Sequence, residues 1–179
     1  FSLIKQTILP ELIRRNQPIK SLKICSAGCS TGQEPYSIAI LLKELIPDID
    51  SWNINILGID INRESLAQAK KGLYNTWSFR QVEDDIKQKY FASKAGYYQL
   101  SENIMRLVKF KQVNLVRDQM PDEAIDLRDM DLIICRNVFI YFTEAAITIV
   151  VEKFFNTLKH NGYLITGHAE LNNNQVKAF

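Results

Sequence analysis

The chain is poor in the residues that build metal centres and disulfide frameworks. It holds two histidines, His160 and His168, and three cysteines, Cys25, Cys29 and Cys135, among 179 residues. An odd cysteine count with no paired framework excludes a disulfide scaffold and fits a reducing, cytoplasmic setting. Cys25 and Cys29 lie close together, but no second Cys/His pair follows. They are expected to be small buried residues, and no metal is expected. Charge of one sign is lacking too. The formal net charge is +2, so no strong field points to nucleic acid or a membrane surface. No apolar run reaches the roughly 20 residues that cross a bilayer, so membrane insertion is not expected. The apolar stretch at residues 3–13 is broken by Lys5, Gln6 and Pro10. It lacks a basic leader and a small-residue cleavage site, which excludes a signal peptide. With Phe1 in place of a methionine, the chain reads as a piece of something longer.

What is present suffices for one well-buried domain: 46% of the residues are hydrophobic and 23% charged. There is no internal repeat. Residues 1–15 predict an amphipathic helix, with Leu3, Ile4, Ile8, Leu12 and Ile13 at helical spacing and a bend expected at Pro10. A short apolar strand at 22–26 leads into a loop with Gly28 and Gly32. A helix follows at 35–46, with Ile38, Leu41, Leu42 and Leu45 on one side and Pro47 as its stop. A second strand, 54–59, ends at Asp60. A helix at 63–71 is closed by Gly72. Residues 82–90 read as helix, 97–100 and 107–113 as strands, 131–135 as a buried strand, 144–159 as a long amphipathic helix and 163–166 as a last strand. Strands alternating with helices predict an α/β fold with a mostly parallel, doubly wound sheet. Such sheets take ligands at the carboxyl ends of their strands.

Four of those ends carry candidate residues. The first strand runs into Ser26-Ala27-Gly28-Cys29-Ser30-Thr31-Gly32, a small-residue turn that lets backbone approach a ligand closely. Glu34 follows. A capping box from Thr31 to Glu34 would place Pro35, which has no N–H, at the first position expected to donate within the helix. A later helix start leaves Glu34 free to accept bonds from a cationic amino group. Asp60 ends the second strand. A carboxylate there suits the two hydroxyls of a ribose, while Asn62 can supply the cap of the next helix. Asn114 and Leu115 suit the edge and face of an adenine, and an ordinary turn asparagine fits Asn114 equally well. Finally, the apolar strand ending at Cys135 gives way to Arg136-Asn137-Val138-Phe139-Ile140-Tyr141-Phe142. Arg136 and Asn137 require polar partners wherever they are buried, whether a ligand or a network.

The string from Cys25 to Ser37 resembles the first motif of the CheR methyltransferases. Asp60-Ile61-Asn62, Gly72-Leu73-Tyr74, Tyr90-Phe91, Phe110, Asn114-Leu115, the string from Cys135 to Phe142 and Gly167-His168-Ala169-Glu170 resemble further family motifs in the same order. Asn62 replaces a usual aspartate and Ala169 a serine. His160-Asn161-Gly162 replaces a more usual Pro-Gly-Gly. The resemblance covers residues 22–170. It implies a Rossmann-like class I fold that binds S-adenosylmethionine and releases S-adenosylhomocysteine, with a small antiparallel β-subdomain at about 90–113. It implies that Ala27, Gly28 and Glu34 hold the methionine part and Asp60 the ribose. Asn114 and Leu115 border the adenine, and Arg136, Asn137 and Val138 line the methyl-transfer end. Arg136 and Tyr141 are the implied catalytic residues, with Tyr141 orienting the reacting carboxylate.

The implied reaction is methylation of glutamate side chains on a methyl-accepting chemotaxis receptor by a monomeric cytoplasmic protein. A receptor-tail peptide is expected to add a strand at Tyr97-Tyr98-Gln99-Leu100, and a plain hairpin fits that segment equally. Residues 1–20 are expected to be a linker helix remaining from an N-terminal helical domain, and residues 21–179 the methyltransferase domain. For the family's closing hairpin only Ala169 to Phe179 remains, which is too short for it. Two other readings stay open: a class I methyltransferase with a different substrate, and a non-catalytic CheR-like binding module.

Overall fold

The computed structural model describes residues 2–80, 82–168 and 170–171. A π-helical turn, Ile4–Ile8, passes into α1 (Leu9–Asn16), followed by β1 (Ser21–Ala27), α2 (Gln33–Leu45), β2 (Asn53–Asp60) and α3 (Arg63–Lys71). Next come β3 (Leu73–Tyr74), α4 (Asp84–Tyr90), β4 (Phe91–Lys94), β5 (Tyr97–Leu100) and the single turn α5 (Glu102–Met105). The chain closes with β6 (Val108–Gln112), β7 (Met130–Cys135), α6 (Glu144–Thr157) and β8 (Leu158–Thr166). Beyond β8 only Gly167, His168, Glu170 and Leu171 are described, so the closing hairpin falls outside the described residues.

The main sheet has the order β6-β2-β1-β7-β8, and every pairing in it is parallel. The α/β class and the doubly wound sheet are as expected. Period-two alternation splits the apolar residues cleanly. Leu22, Ile24, Ile56, Leu132 and Ile134 face one cluster, with Leu9, Leu12, Ile38, Leu42 and Leu66 from the helices. Cys25, Leu57, Ile59, Ile133 and Cys135 face the other, with Val150, Val151 and Phe154 of α6. All three cysteines are free and buried. The crossover from β6 to β7 has no α-helix. Val113, Leu115, Met120 and Leu127 cover the sheet there instead. Lys153 Nζ on α6 holds that loop by donating to the carbonyls of Leu115, Val116 and Asp118 at 3.2, 2.7 and 2.7 Å.

Pro10 changes the first helix, but as a widened turn. Proline has no N–H for the carbonyl four residues back, and the Leu9 N–H bonds Ile4 O, one residue further than in an α-helix. This segment packs into the core. Leu9 and Leu12 are fully buried, and Tyr163 on β8 donates to Glu11 at 2.7 Å. At the amino ends of the strands Asp131 is fully buried. It accepts from the Lys23 N–H at 2.9 Å, Lys159 Nζ at 3.0 Å and Asn16 Nδ2 at 3.2 Å. Its charge is therefore matched and its oxygens bonded, as a buried carboxylate requires. No helix among the described residues is long and apolar enough to cross a membrane.

The small antiparallel sheet has the order β3-β5-β4. It differs from the expected 90–113 segment at both ends. It takes in Leu73–Tyr74, and β6 belongs to the main sheet, where Phe110 pairs with Gly58. Two-residue β3 is too short to show alternation, whereas β6 alternates buried Val108 and Phe110 with exposed lysines. A second difference concerns Tyr97 to Leu100. This strand lies in the centre of its sheet, paired along its length with β4 and at Tyr98 and Gln99 with β3. The outer side of β4 is the open edge of useful length.

Candidate functional site

Because all five strands run the same way, their carboxyl ends form one edge. Ala27 pairs with both Ile59 and Cys135, Asp60 with Gln112, and Cys135 with Thr166. After β1 the chain builds outward through β2 and β6, then returns to the other side of β1 as β7. Sheets of this kind take their ligands at such a reversal, here between the ends of β1 and β7.

The turn after β1 extends its ladder, since the N–H groups of Gly28 and Cys29 both donate to Ile59 O, at 2.8 and 3.0 Å. Gly28 lies at φ +70°, and a Cβ there would collide with Cγ2 of Val138. The glycine therefore lets the loop after β7 close onto the end of β1. Helix α2 starts at Gln33 behind Gly32, which lies at φ +87° and makes no side-chain cap. Thr31 bonds Gln33 Oε1 instead of capping. Glu34 is thus free of a capping role, and the helix starts two residues earlier than expected. Its carboxylate accepts from the fully buried Ser26 hydroxyl at 2.8 Å and lies 3.7 Å from Arg136 Nη1. Burial pushes the Glu34 carboxyl up from its usual value. The Ser26 hydroxyl and the Arg136 guanidinium act against this without cancelling it.

Asp60 sits beside the same turn. Its two oxygens accept from the backbone N–H groups of Ser30 and Asn62 at 2.8 and 2.7 Å. Asn62 caps α3, bonding the N–H groups of Glu64 and Ser65. A carboxylate has about four acceptor positions, so each Asp60 oxygen keeps one for a ligand hydroxyl. Asn114 follows in line, since the Val113 N–H donates to Asp60 O. Its side-chain oxygen turns back to the N–H groups of Val116 and Arg117 at 3.0 and 3.1 Å, which is the ordinary turn role. Leu115 is buried in the second apolar cluster.

Asn137 is exposed and left-handed, at φ +60°. The next 3-10 turn, Phe139–Tyr141, buries Phe139 and leaves Tyr141 81% exposed in solvent. The structure therefore gathers Gly28, Glu34, Arg136 and Val138 with Asp60 tied in through Ser30, and leaves Tyr141 outside this cluster. Sequence reasoning missed two residues that hold it together. Ser26 orients Glu34, and Glu170 accepts from the Asn137 and Val138 N–H groups. The signal for Glu170 was the Gly167-His168-Ala169-Glu170 string. For Ser26 it was a polar residue inside an apolar strand.

A family model described as the CheR methyltransferase SAM-binding domain matches residues 1–179. The chain belongs to this CheR family. It is 35% identical over 170 residues to chemotaxis protein methyltransferase 2 of Vibrio cholerae, covering 94% of this chain and 57% of that protein. It is 34% identical over 174 residues to the chemotaxis protein methyltransferase of Borreliella burgdorferi, covering 95% of this chain and 60% of that protein. The chain thus spans less than two thirds of the length of these CheR relatives. Among solved structures, a TehB-like SAM-dependent methyltransferase from Corynebacterium glutamicum matches with a TM-score of 0.52 at 15% identity, over 88% of this chain and 62% of that one. That likeness concerns the fold.

The site suits the cofactor named in the family's description. S-Adenosylmethionine carries an ammonium group and a ribose diol. Partly buried Glu34 offers an acceptor of opposite charge, and Asp60 offers two free acceptor positions in a fixed orientation.

Proposed function

We propose that this domain performs the transfer of a methyl group from S-adenosylmethionine to glutamate carboxylates of methyl-accepting chemotaxis receptors, forming methyl esters. The observation that carries the reading is the partly buried Ser26–Glu34–Arg136 cluster beside Asp60, where the strand order of a CheR-family sheet reverses. When bound, the cofactor supplies an electrophilic methyl group. Glu34 holds its ammonium and Asp60 its diol. A substrate glutamate, with an ordinary pKa near 4.3, is already an ionised nucleophile at neutral pH, so no base is required. With the cofactor held there, its oxygen would take the methyl carbon as the carbon–sulfur bond breaks. The negative and positive charges are lost together, and no proton moves. The residues then have to align and desolvate the reactants, which is worth roughly 7–11 kcal/mol. Arg136 draws the carboxylate in, and solvent-exposed Tyr141 meets it at the mouth of the site. Asn137 and Val138 border the transfer end, with Asn114 and Leu115 at the adenine.

Incubation of the full-length protein with methyl-labelled cofactor and receptor membranes tests the reading. Label released as methanol by base is the expected result. Base-stable label would replace it with N-methylation, and no label with a non-catalytic binding module. For the partner we place a receptor-tail segment on the open edge of β4, not on central β5, because strand addition needs unpaired backbone. A monomeric cytoplasmic protein fits its three buried free thiols.

The raised Glu34 pKa gives a pH dependence of defined sign. The free carboxyl gains its proton at a higher pH than an ordinary glutamate, and protonation removes the charge that attracts the ammonium. Affinity for S-adenosylhomocysteine is expected to fall on acidification, starting at a higher pH than an ordinary glutamate carboxyl would give. Glu34→Gln should bind weakly and lose that slope in calorimetric titrations. A slope that persists in the variant would assign the proton to another group.

A further inference from the structure

We propose that Glu170 is a positioning residue for the cofactor site, an inference that rests on the methyl-transfer reading above. Glu170 is 9% exposed, and its carboxylate accepts three backbone N–H groups: Gly167 at 2.5 Å, Asn137 at 3.2 Å and Val138 at 2.9 Å. Those donors come from two different strand ends. The last paired residues of β7 and β8 are Cys135 and Thr166. Past them the ladder stops, and the N–H groups of Asn137, Val138 and Gly167 converge on the Glu170 carboxylate instead. Glu170 takes the place of the missing acceptors. The approach is close, since a Cβ on Gly167 would run into the Glu170 carboxylate.

The consequence is felt at the site. The two residues Glu170 binds on the β7 side, Asn137 and Val138, directly follow Arg136. Arg136 lies against Glu34, and Val138 packs on the bare Cα of Gly28. Asn137 must stay left-handed for both neighbours to reach those contacts, and its N–H is one of the three that Glu170 holds. Three converging donors require an acceptor-only group. A glutamine would turn an NH2 toward at least one N–H, losing a charge-assisted bond and adding a donor–donor contact.

The test compares Glu170→Gln, Glu170→Asp and wild type in the full-length protein. The measurements are S-adenosylhomocysteine affinity by calorimetry, the KM for S-adenosylmethionine against kcat, amide exchange at Val138 and the thermal midpoint. Glu170→Gln is expected to weaken affinity by about tenfold, the loss of one charge-assisted bond. It should raise KM more than it lowers kcat, and speed exchange at Val138. Glu170→Asp keeps the charge with a shorter reach, so it should fall between the two and keeps the test open if Glu170→Gln does not fold. Asp131→Asn disturbs a buried network at the opposite ends of the strands. It should lower the thermal midpoint while leaving affinity unchanged. Wild-type affinity in Glu170→Gln, or a loss no greater than that of Asp131→Asn, would make Glu170 a structural residue only and overturn the proposal. If wild type itself fails to bind S-adenosylhomocysteine, the methyl-transfer reading falls first and takes the proposal with it.

Discussion

Gly28→Ala is expected to lower methyl transfer about a hundredfold, the scale on which a 1 Å misplacement acts in an active site. Two independent costs lead there. Gly28 lies at φ +70°, where an L-residue is strained by about 1–2 kcal/mol. The new Cβ would also collide with Val138 Cγ2, and overpacking of this kind costs about 1–3 kcal/mol. Neither can relax locally. Gly28 is fixed by its N–H to Ile59 O, and Val138 by its N–H to Glu170. The loop after β7 must move away, taking Arg136 with it. Gly96→Ala separates the two costs. Gly96 has a similar φ of +81°, but a Cβ added there would meet nothing within 4 Å, so the variant should lose stability by strain alone and keep full turnover. Adding Val138→Ala to Gly28→Ala should restore part of the lost stability in denaturant titrations. Unchanged turnover in Gly28→Ala would mean that the contact between the β1 and β7 loops does not shape the site.

Asp60→Ala should abolish measurable binding of S-adenosylhomocysteine, a loss of more than about 3 kcal/mol if two hydrogen bonds to a charged group disappear. The carboxylate has two duties. It orders the turn after β1 through the Ser30 N–H and the start of α3 through the Asn62 N–H, and its remaining acceptor positions are those we propose for the diol. Asp60→Asn keeps one oxygen acceptor and should retain intermediate affinity. An analogue lacking the ribose 2′-hydroxyl separates ordering from contact. It should bind wild type more weakly than S-adenosylhomocysteine does, and bind Asp60→Ala no more weakly. Equal binding of both ligands by wild type would leave Asp60 with the ordering duty alone.

Much of the fold was legible in the chain because its signals are local. The buried stretch 132–135 is a continuous apolar run, and α3 carries its own cap at Asn62 and stop at Gly72. The parts that were not legible depend on partners distant in sequence. Leu73–Tyr74 is a strand only because Tyr98 and Gln99 pair with it. The central place of β5, against the edge expected for it, follows from that same pairing. Tyr141 read as a site residue from its motif; that its side chain stands in solvent was not legible, because it follows from Phe139 taking the buried position of the turn. Asn114 kept two readings in the sequence, and its side-chain oxygen adopts the local one.

By itself the sequence determined the layered α/β plan, the end of the sheet that carries the site, and the residue types gathered there. Period-two burial and helix punctuation are written into neighbouring residues, so they require no knowledge of the rest of the chain. Tertiary structure alone decided how those residues are held. Ser26 reaches Glu34 eight residues on, and Glu170 reaches back 33 and 32 residues to two backbone N–H groups. Such bonds depend on where parallel strands happen to end side by side, and no local pattern encodes that.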